Sequence, residues 1–149
     1  MPRPILVAVL LAALSPPLWA ASCSVDIEAS DRMAFSTNAI EVSRSCREFT
    51  VNLHHSGHLE STLMGHNWVL ARAAEQQAVA NAGMVGGLAH SFLRPGDGRV
   101  IAATRVLGGG ESDSVTFAVD KLQDGQPYLF FCSFPGHSAL MKGTLRLVD

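Results

Sequence analysis

Apolar and polar residues alternate with period two along four stretches of the chain. Val25 and Ile27 are set among polar residues, and Phe49, Val51 and Leu53 alternate with Glu48, Thr50, Asn52 and His54. Val115, Phe117 and Val119 repeat the pattern, as do Leu145 and Leu147. Successive side chains of a strand point to opposite faces, so this alternation predicts half-buried strands with one wet face. Turn-forming clusters separate them: His55-Ser56-Gly57, Pro95-Gly96-Asp97-Gly98, Gly108-Gly109-Gly110 and Asp124-Gly125. Short strands punctuated in this way predict an all-β antiparallel sandwich or barrel. One stretch breaks the alternation. Ala71 to Ala82 is rich in Ala, Gln and Glu and stops before Gly83, which predicts a single inserted helix. There is no internal repeat and no low-complexity tract.

The first twenty residues follow different rules. Arg3 precedes an unbroken apolar run from Ile5 to Leu14, followed by Ser15-Pro16-Pro17 and Leu18-Trp19-Ala20. Ten residues of helix span about 15 Å, roughly half a bilayer core, and paired prolines stop the helix. The segment therefore reads as a cleaved export signal over residues 1–20, and a retained membrane anchor is the weaker reading. The mature domain is then 21–149. A second reading of Ala20-Ala21-Ser22-Cys23 is a lipoprotein site with Cys23 lipidated; the residue types before it fit that poorly.

The chain has 149 residues, 11 Lys+Arg and 13 Asp+Glu. Removing the signal takes away one positive charge and leaves one domain of net charge −3. That charge excludes generic nucleic-acid binding, since no basic field is available for phosphates. No second apolar run is long enough to span a membrane. A domain of this size buries well over half its unfolded surface, so a metal is not needed for folding and any metal site is functional.

Three cysteines in an exported chain leave one over. Cys23 and Cys46 lie in ordinary polar sequence about two dozen residues apart, and a bridge between them would contribute on the order of 3 kcal/mol. Cys132 instead ends the aromatic run Tyr128-Leu129-Phe130-Phe131, and Cys132, His137 and Met141 follow one another as C-x4-H-x3-M. Thiolate, imidazole and thioether on one loop suit copper or zinc, and two His, one Cys and a long axial Met form the donor set of blue-copper sites. His66, in Met64-Gly65-His66-Asn67-Trp68, supplies the second imidazole, and Gly65 leaves its carbonyl free to approach the metal. His54, His55, His58 and His90 sit in polar or turn-like settings; His55 is read as a solvent-exposed turn residue that could titrate and act on the site at long range. Three other uses of Cys132 remain: an inert buried thiol, a nucleophile beside a His, and a zinc ligand. A thiol enzyme lacks an obvious orienting carboxylate here, and Met fits zinc poorly.

The segments Gly65-His66-Asn67-Trp68 and Cys132-Ser133-Phe134-Pro135-Gly136-His137-Ser138-Ala139-Leu140-Met141, with Cys-Ser-Val-Asp-Ile, Phe-Thr-Val-Asn-Leu and Asp-Ser-Val-Thr-Phe, make the chain resemble the plastocyanin/azurin-like cupredoxins from about Cys23 to its end. The resemblance implies an eight-stranded Greek-key β-sandwich with one short helix. It implies one type 1 copper ion held equatorially by His66, Cys132 and His137, with Met141 and the Gly65 carbonyl as weak axial contacts. Asn67 and Phe134 would neighbour these ligands, Cys23 and Cys46 would form a disulfide, and Tyr128 would make a tyrosine corner. Trp68 reads as core in either account. The implied function is periplasmic electron carriage between redox proteins such as a c-type cytochrome or a periplasmic reductase, not enzymatic catalysis; the alternative is a copper-binding or storage protein that does not cycle. Partners would meet an exposed edge of His137 within an apolar patch of Met33, Leu59, Met64, Met84, Phe134, Pro135, Gly136, Ala139 and Leu140. The chain departs most from the family pattern in the Ala-rich region and across Gly86 to His90.

Overall fold

The computed structural model describes residues 22–149, so the expected export signal lies outside them. The described chain passes back and forth between two sheets. One sheet contains β1 (Ser24–Ser30), β2 (Ala34–Phe35), β4 (Glu48–His55) and β7 (Ser112–Ala118), in the order β2-β1-β4-β7. The other contains β3 (Ala39–Ser43), β5 (Val69–Arg72), β6 (Ala102–Ala103), β8 (Tyr128–Phe131) and β9 (Lys142–Val148), in the order β3-β9-β8-β5-β6. Two contacts, β1 with β4 and β3 with β9, are parallel, and the others are antiparallel. The predicted alternating stretches fall in β1, β4, β7 and β9, except that Val119 begins a 3-10 turn.

The alternation works as expected on the first sheet. Ile27, Ala29, Phe49, Val51, Leu53 and Phe117 turn inward and meet Ile40, Val42, Leu70, Phe130 and Leu145 of the second sheet in one buried cluster. Trp68 lies fully buried in this cluster, its ring 5.9 Å from Phe130 and 6.4 Å from Phe117, and its Nε1 has no hydrogen-bond partner among the described residues. The second sheet is apolar on both faces at its centre. Val69, Ala71 and Phe131 face away from the sandwich and pack on Val79 and Ala80 of a helix. Strands covered on both sides lose the alternation and read as continuous apolar runs.

That helix corrects the sequence expectation. Ala71 and Arg72 belong to β5, pairing with Leu129 and Tyr128. A 3-10 turn over Ala73–Glu75 follows, and the α-helix runs Gln76–Gly83, after a first short helix, α1 (Ser61–Met64); the longer one is α2. Tertiary pairing overrides the helix propensity of the first residues. Gly83 ends α2 from within, and a Cβ there would lie 2.0 Å from the Phe92 carbonyl oxygen, so only glycine lets the helix approach that loop.

Cys23 and Cys46 form the expected disulfide, closing 23 positions at the start of β1. A sulfur so bonded is not free to carry a lipid. Tyr128 is buried and its hydroxyl accepts the Gln123 backbone N–H at 2.8 Å, the tyrosine-corner arrangement. Among the described residues no helix is long and apolar enough to cross a membrane.

Candidate metal centre

His66 lies between α1 and β5, where its backbone exchanges two hydrogen bonds with Leu107, at 3.0 and 2.7 Å. Gly65 before it is pressed on by its surroundings: a Cβ would meet the Ser61 carbonyl oxygen and Val106 Cγ1, each at 2.5 Å. The ring of His66 is fully buried and its Nε2–H donates to the Ser30 carbonyl at 2.9 Å. A carbonyl only accepts, so this contact fixes the tautomer and turns the Nδ1 lone pair inward.

Cys132 and His137 come from the loop that joins β8 to β9. That loop is closed by its own backbone: Cys132 N–H donates to the Met141 carbonyl at 3.0 Å, His137 N–H to Phe134 at 3.0 Å, and Met141 N–H to His137 at 2.8 Å. Met141 is buried at the foot of the loop. The result brings together one ligand atom each from His66, Cys132 and His137, all within 4.8 Å of one another. Cys132 Sγ lies 3.9 Å from His66 Nδ1, 3.6 Å from His137 Nδ1 and 3.8 Å from the Gly65 carbonyl oxygen. Donors bonded at about 2.0–2.3 Å to one ion in a trigonal plane stand about 3.5–4 Å apart, so the triangle has the size a single metal ion requires.

The electrostatics suit a cation and disfavour a nucleophilic cysteine. Burial pushes the Cys132 thiol up to about 11, although the Asn67 and Phe134 backbone amides pull it the other way. Burial also lowers His66 to about 4, aided by the neighbouring His55 and His137, and lowers His137. At neutral pH the set therefore holds neutral imidazoles with free lone pairs beside a protonated thiol, and a bound cation would supply the charge that turns thiol into thiolate. A nucleophilic cysteine needs a lowered pKa and access, and Cys132 has neither, being 0% exposed.

Asn67 joins the two halves. It is fully buried; its Oδ1 accepts the Ser133 N–H at 2.8 Å, and its Nδ2 donates to the Ser133 hydroxyl at 2.8 Å and to the Ser91 carbonyl at 3.0 Å. Phe134 packs on His137 with ring centroids 4.7 Å apart, and Phe92 meets Phe134 edge-on at 5.1 Å.

His55 is the clearest correction. It is completely buried at the end of β4, stacked on His66 at 4.6 Å, with Nε2–H donating to Met64 O and Nδ1 accepting Gly57 N–H. Its polar neighbours in sequence concealed a ring that turns inward because it continues the buried face of Phe49, Val51 and Leu53. His54, His58 and His90 are exposed and lie outside the cluster, as expected.

None of the nine patch residues is buried: Leu59, Met84, Gly136, Ala139 and Leu140 are exposed, and Met33, Met64, Phe134 and Pro135 are half-buried. The expected exposed edge of His137 is narrow, 4% of the residue, while His66 and Cys132 have none. Leu63, Val85 and Leu88 are also exposed apolar residues and were not anticipated. Their signal was weak, since single apolar residues in short helices usually face a core. Ser91 and Ser133 were likewise missed.

The comparisons agree with this geometry. Residues 21–148 match the family described as copper binding proteins, plastocyanin/azurin family. The chain is 61% identical over 140 residues to azurin of Bordetella pertussis, covering 94% of this chain and 93% of that protein. It is 60% identical over 138 residues to azurin of Pseudomonas aeruginosa, covering 93% of each. A solved structure of azurin Az-iso2 from the methylotroph Methylomonas sp. strain J superposes with a TM-score of 0.84 at 49% identity, covering 87% of this chain and all of that one. A His, Cys, His cluster with a buried Met beside it fits one type 1 copper ion. On its fold, its site and these relatives, the chain belongs to the plastocyanin/azurin family of copper-binding proteins.

Proposed function

We propose that the chain is exported with loss of residues 1–20 and serves in the periplasm as a carrier of single electrons, not as an enzyme. His66, Cys132 and His137 would hold the copper ion, with Met141 and the Gly65 carbonyl as weaker donors beside them. Bound copper supplies a one-electron Cu(I)/Cu(II) couple. The residues do the rest: Ser30 and Leu107 hold His66, Asn67 holds the Cys132 loop against it, and the buried walls keep water away from the thiolate. A site so fixed changes little between oxidation states and leaves no room for a substrate. The observation that carries this reading is the triangle of three buried soft and borderline donors, with the two imidazole nitrogens 3.9 and 3.6 Å from Sγ and, among these three residues, only an edge of His137 exposed.

Exchange partners would be a c-type cytochrome or a periplasmic reductase, meeting the protein briefly through the apolar residues around His137. Weak redox encounters use small interfaces, below about 1,200 Å². Copper-loaded mature protein is expected to show an intense blue thiolate-to-copper absorption and to bleach rapidly and reversibly with a reduced c-type cytochrome. Absence of the blue band overturns the ligand assignment; a blue band that no cytochrome bleaches favours storage. Met141→Gln is expected to keep the colour and shift the reduction potential.

A further inference from the structure

Ser91 and Phe92 are consecutive non-glycine residues with left-handed backbones, at φ of 54° and 50°. Such a pair is uncommon and persists only where its surroundings hold it. Both residues touch side chains or backbone next to the metal ligands. The left-handed turn aims the Ser91 carbonyl at the strut described above, where it accepts both the Asn67 Nδ2–H at 3.0 Å and the Ser133 hydroxyl at 3.1 Å, using both of its lone pairs. The Ser91 hydroxyl accepts the Val106 N–H at 3.0 Å. Val106 adjoins Leu107, the residue paired through two backbone hydrogen bonds with His66. Phe92 packs on Phe134, which packs on His137. Ser91 thus reaches the neighbours of His66 on one side and of Cys132 on the other.

We infer that Ser91 is a positioning residue for the copper site: its left-handed backbone and its hydroxyl set the Asn67–Ser133 strut and, through it, how the Cys132 loop sits against His66. Groups that orient a metal's ligands tune its redox potential, so a loosened strut reads out as a shifted potential and not merely as lower stability. The exposed Met84, Val85 and Leu88 lie just before this turn, which is closed by Ser91 N–H to Leu88 O at 2.9 Å and Phe92 N–H to Gly87 O at 2.8 Å. The inference rests on the copper reading above.

The test uses Ser91→Asn and Ser91→Val in the full mature chain. Asn tolerates the left-handed region and carries an acceptor, whereas Val is β-branched and carries none. In the copper-loaded protein, Ser91→Asn is expected to retain the wild-type potential and blue band, and Ser91→Val to shift both. In the metal-free protein, Ser91→Val should raise the rate of Cys132 alkylation about tenfold, as the loss of one part-buried hydrogen bond together with strain in the left-handed backbone predicts. A Ser91→Val protein that melts earlier but keeps the wild-type potential, band and alkylation rate overturns the inference. Should Ser91→Val not fold, Ser91→Gly keeps the backbone and removes only the hydroxyl; a smaller shift in potential and alkylation supports the inference, and wild-type values overturn it. If the wild-type protein fails to turn blue, the copper reading falls, while the alkylation comparison still decides the role of Ser91.

Discussion

The two halves of the metal centre are built differently. His66 comes from a segment sewn into the body of the protein: its backbone pairs with Leu107, its ring is anchored to Ser30 and stacked on His55, and it has no exposure. Cys132, His137 and Met141 come from a ten-residue loop closed mainly by its own hydrogen bonds, whose flanks Gly136, Ala139 and Leu140 face solvent. One half supplies rigidity and the other contact with the outside. A carrier needs both, because a site that keeps its shape on gaining or losing charge must still bring one edge close to a partner.

The sharpest way to break this comparison is to remove the sulfur of the loop half, which faces the imidazoles of both halves. Cys132→Ser should abolish the blue absorption of the copper-loaded protein entirely, while the metal-free fold survives; a residual blue band would show that the thiolate is not the ligand. Next is the joint between the halves. Asn67→Ala leaves the buried Ser133 N–H without its acceptor and should lower the unfolding free energy of the metal-free protein by about 1–3 kcal/mol, measured by denaturant titration.

Acid should act through the sewn-in half. His66 has an ordinary unfolded value of 6.5 and a native value of about 4, so between these limits the unfolded chain binds more protons. The metal-free protein is therefore expected to lose stability as pH falls through that window, with a slope approaching about 1.4 kcal/mol per pH unit from this group. The slope should diminish in His66→Gln, and an unchanged slope would assign the effect elsewhere. The smallest structural effect belongs to the outer flank. Leu140→Lys, at a residue 75% exposed, should change stability by no more than about 0.5 kcal/mol and leave the colour intact. It should nevertheless slow exchange with a cytochrome by about tenfold, equivalent to ~1.4 kcal/mol of docking free energy.

The difference between the halves also decides what could be read from the chain beforehand. The loop half announces itself because Cys132, His137 and Met141 lie within ten residues. The alternating strands were equally plain, since period two survives wherever one face meets water. The other half is nonlocal. The roles of Ser30, Leu107 and Ser91 are carried by their backbone carbonyls and a hydroxyl, and no side-chain pattern marks a carbonyl that will be needed thirty residues away. His55 was misplaced because its neighbours are polar although its position continues a buried face. The start of α2 was misplaced because Ala71 and Arg72, good helix formers, are required as strand partners of β8.

Trp68 carries a consequence of a different kind. It is the one tryptophan among residues 22–149, enclosed by Phe117 and Phe130 with no polar partner for its indole. An indole buried among aromatic rings, with no water around it to relax its excited state, is expected to emit toward the blue end of its range, which would give the protein its own optical gauge: ultraviolet emission that moves to the red as soon as water enters the space between the sheets.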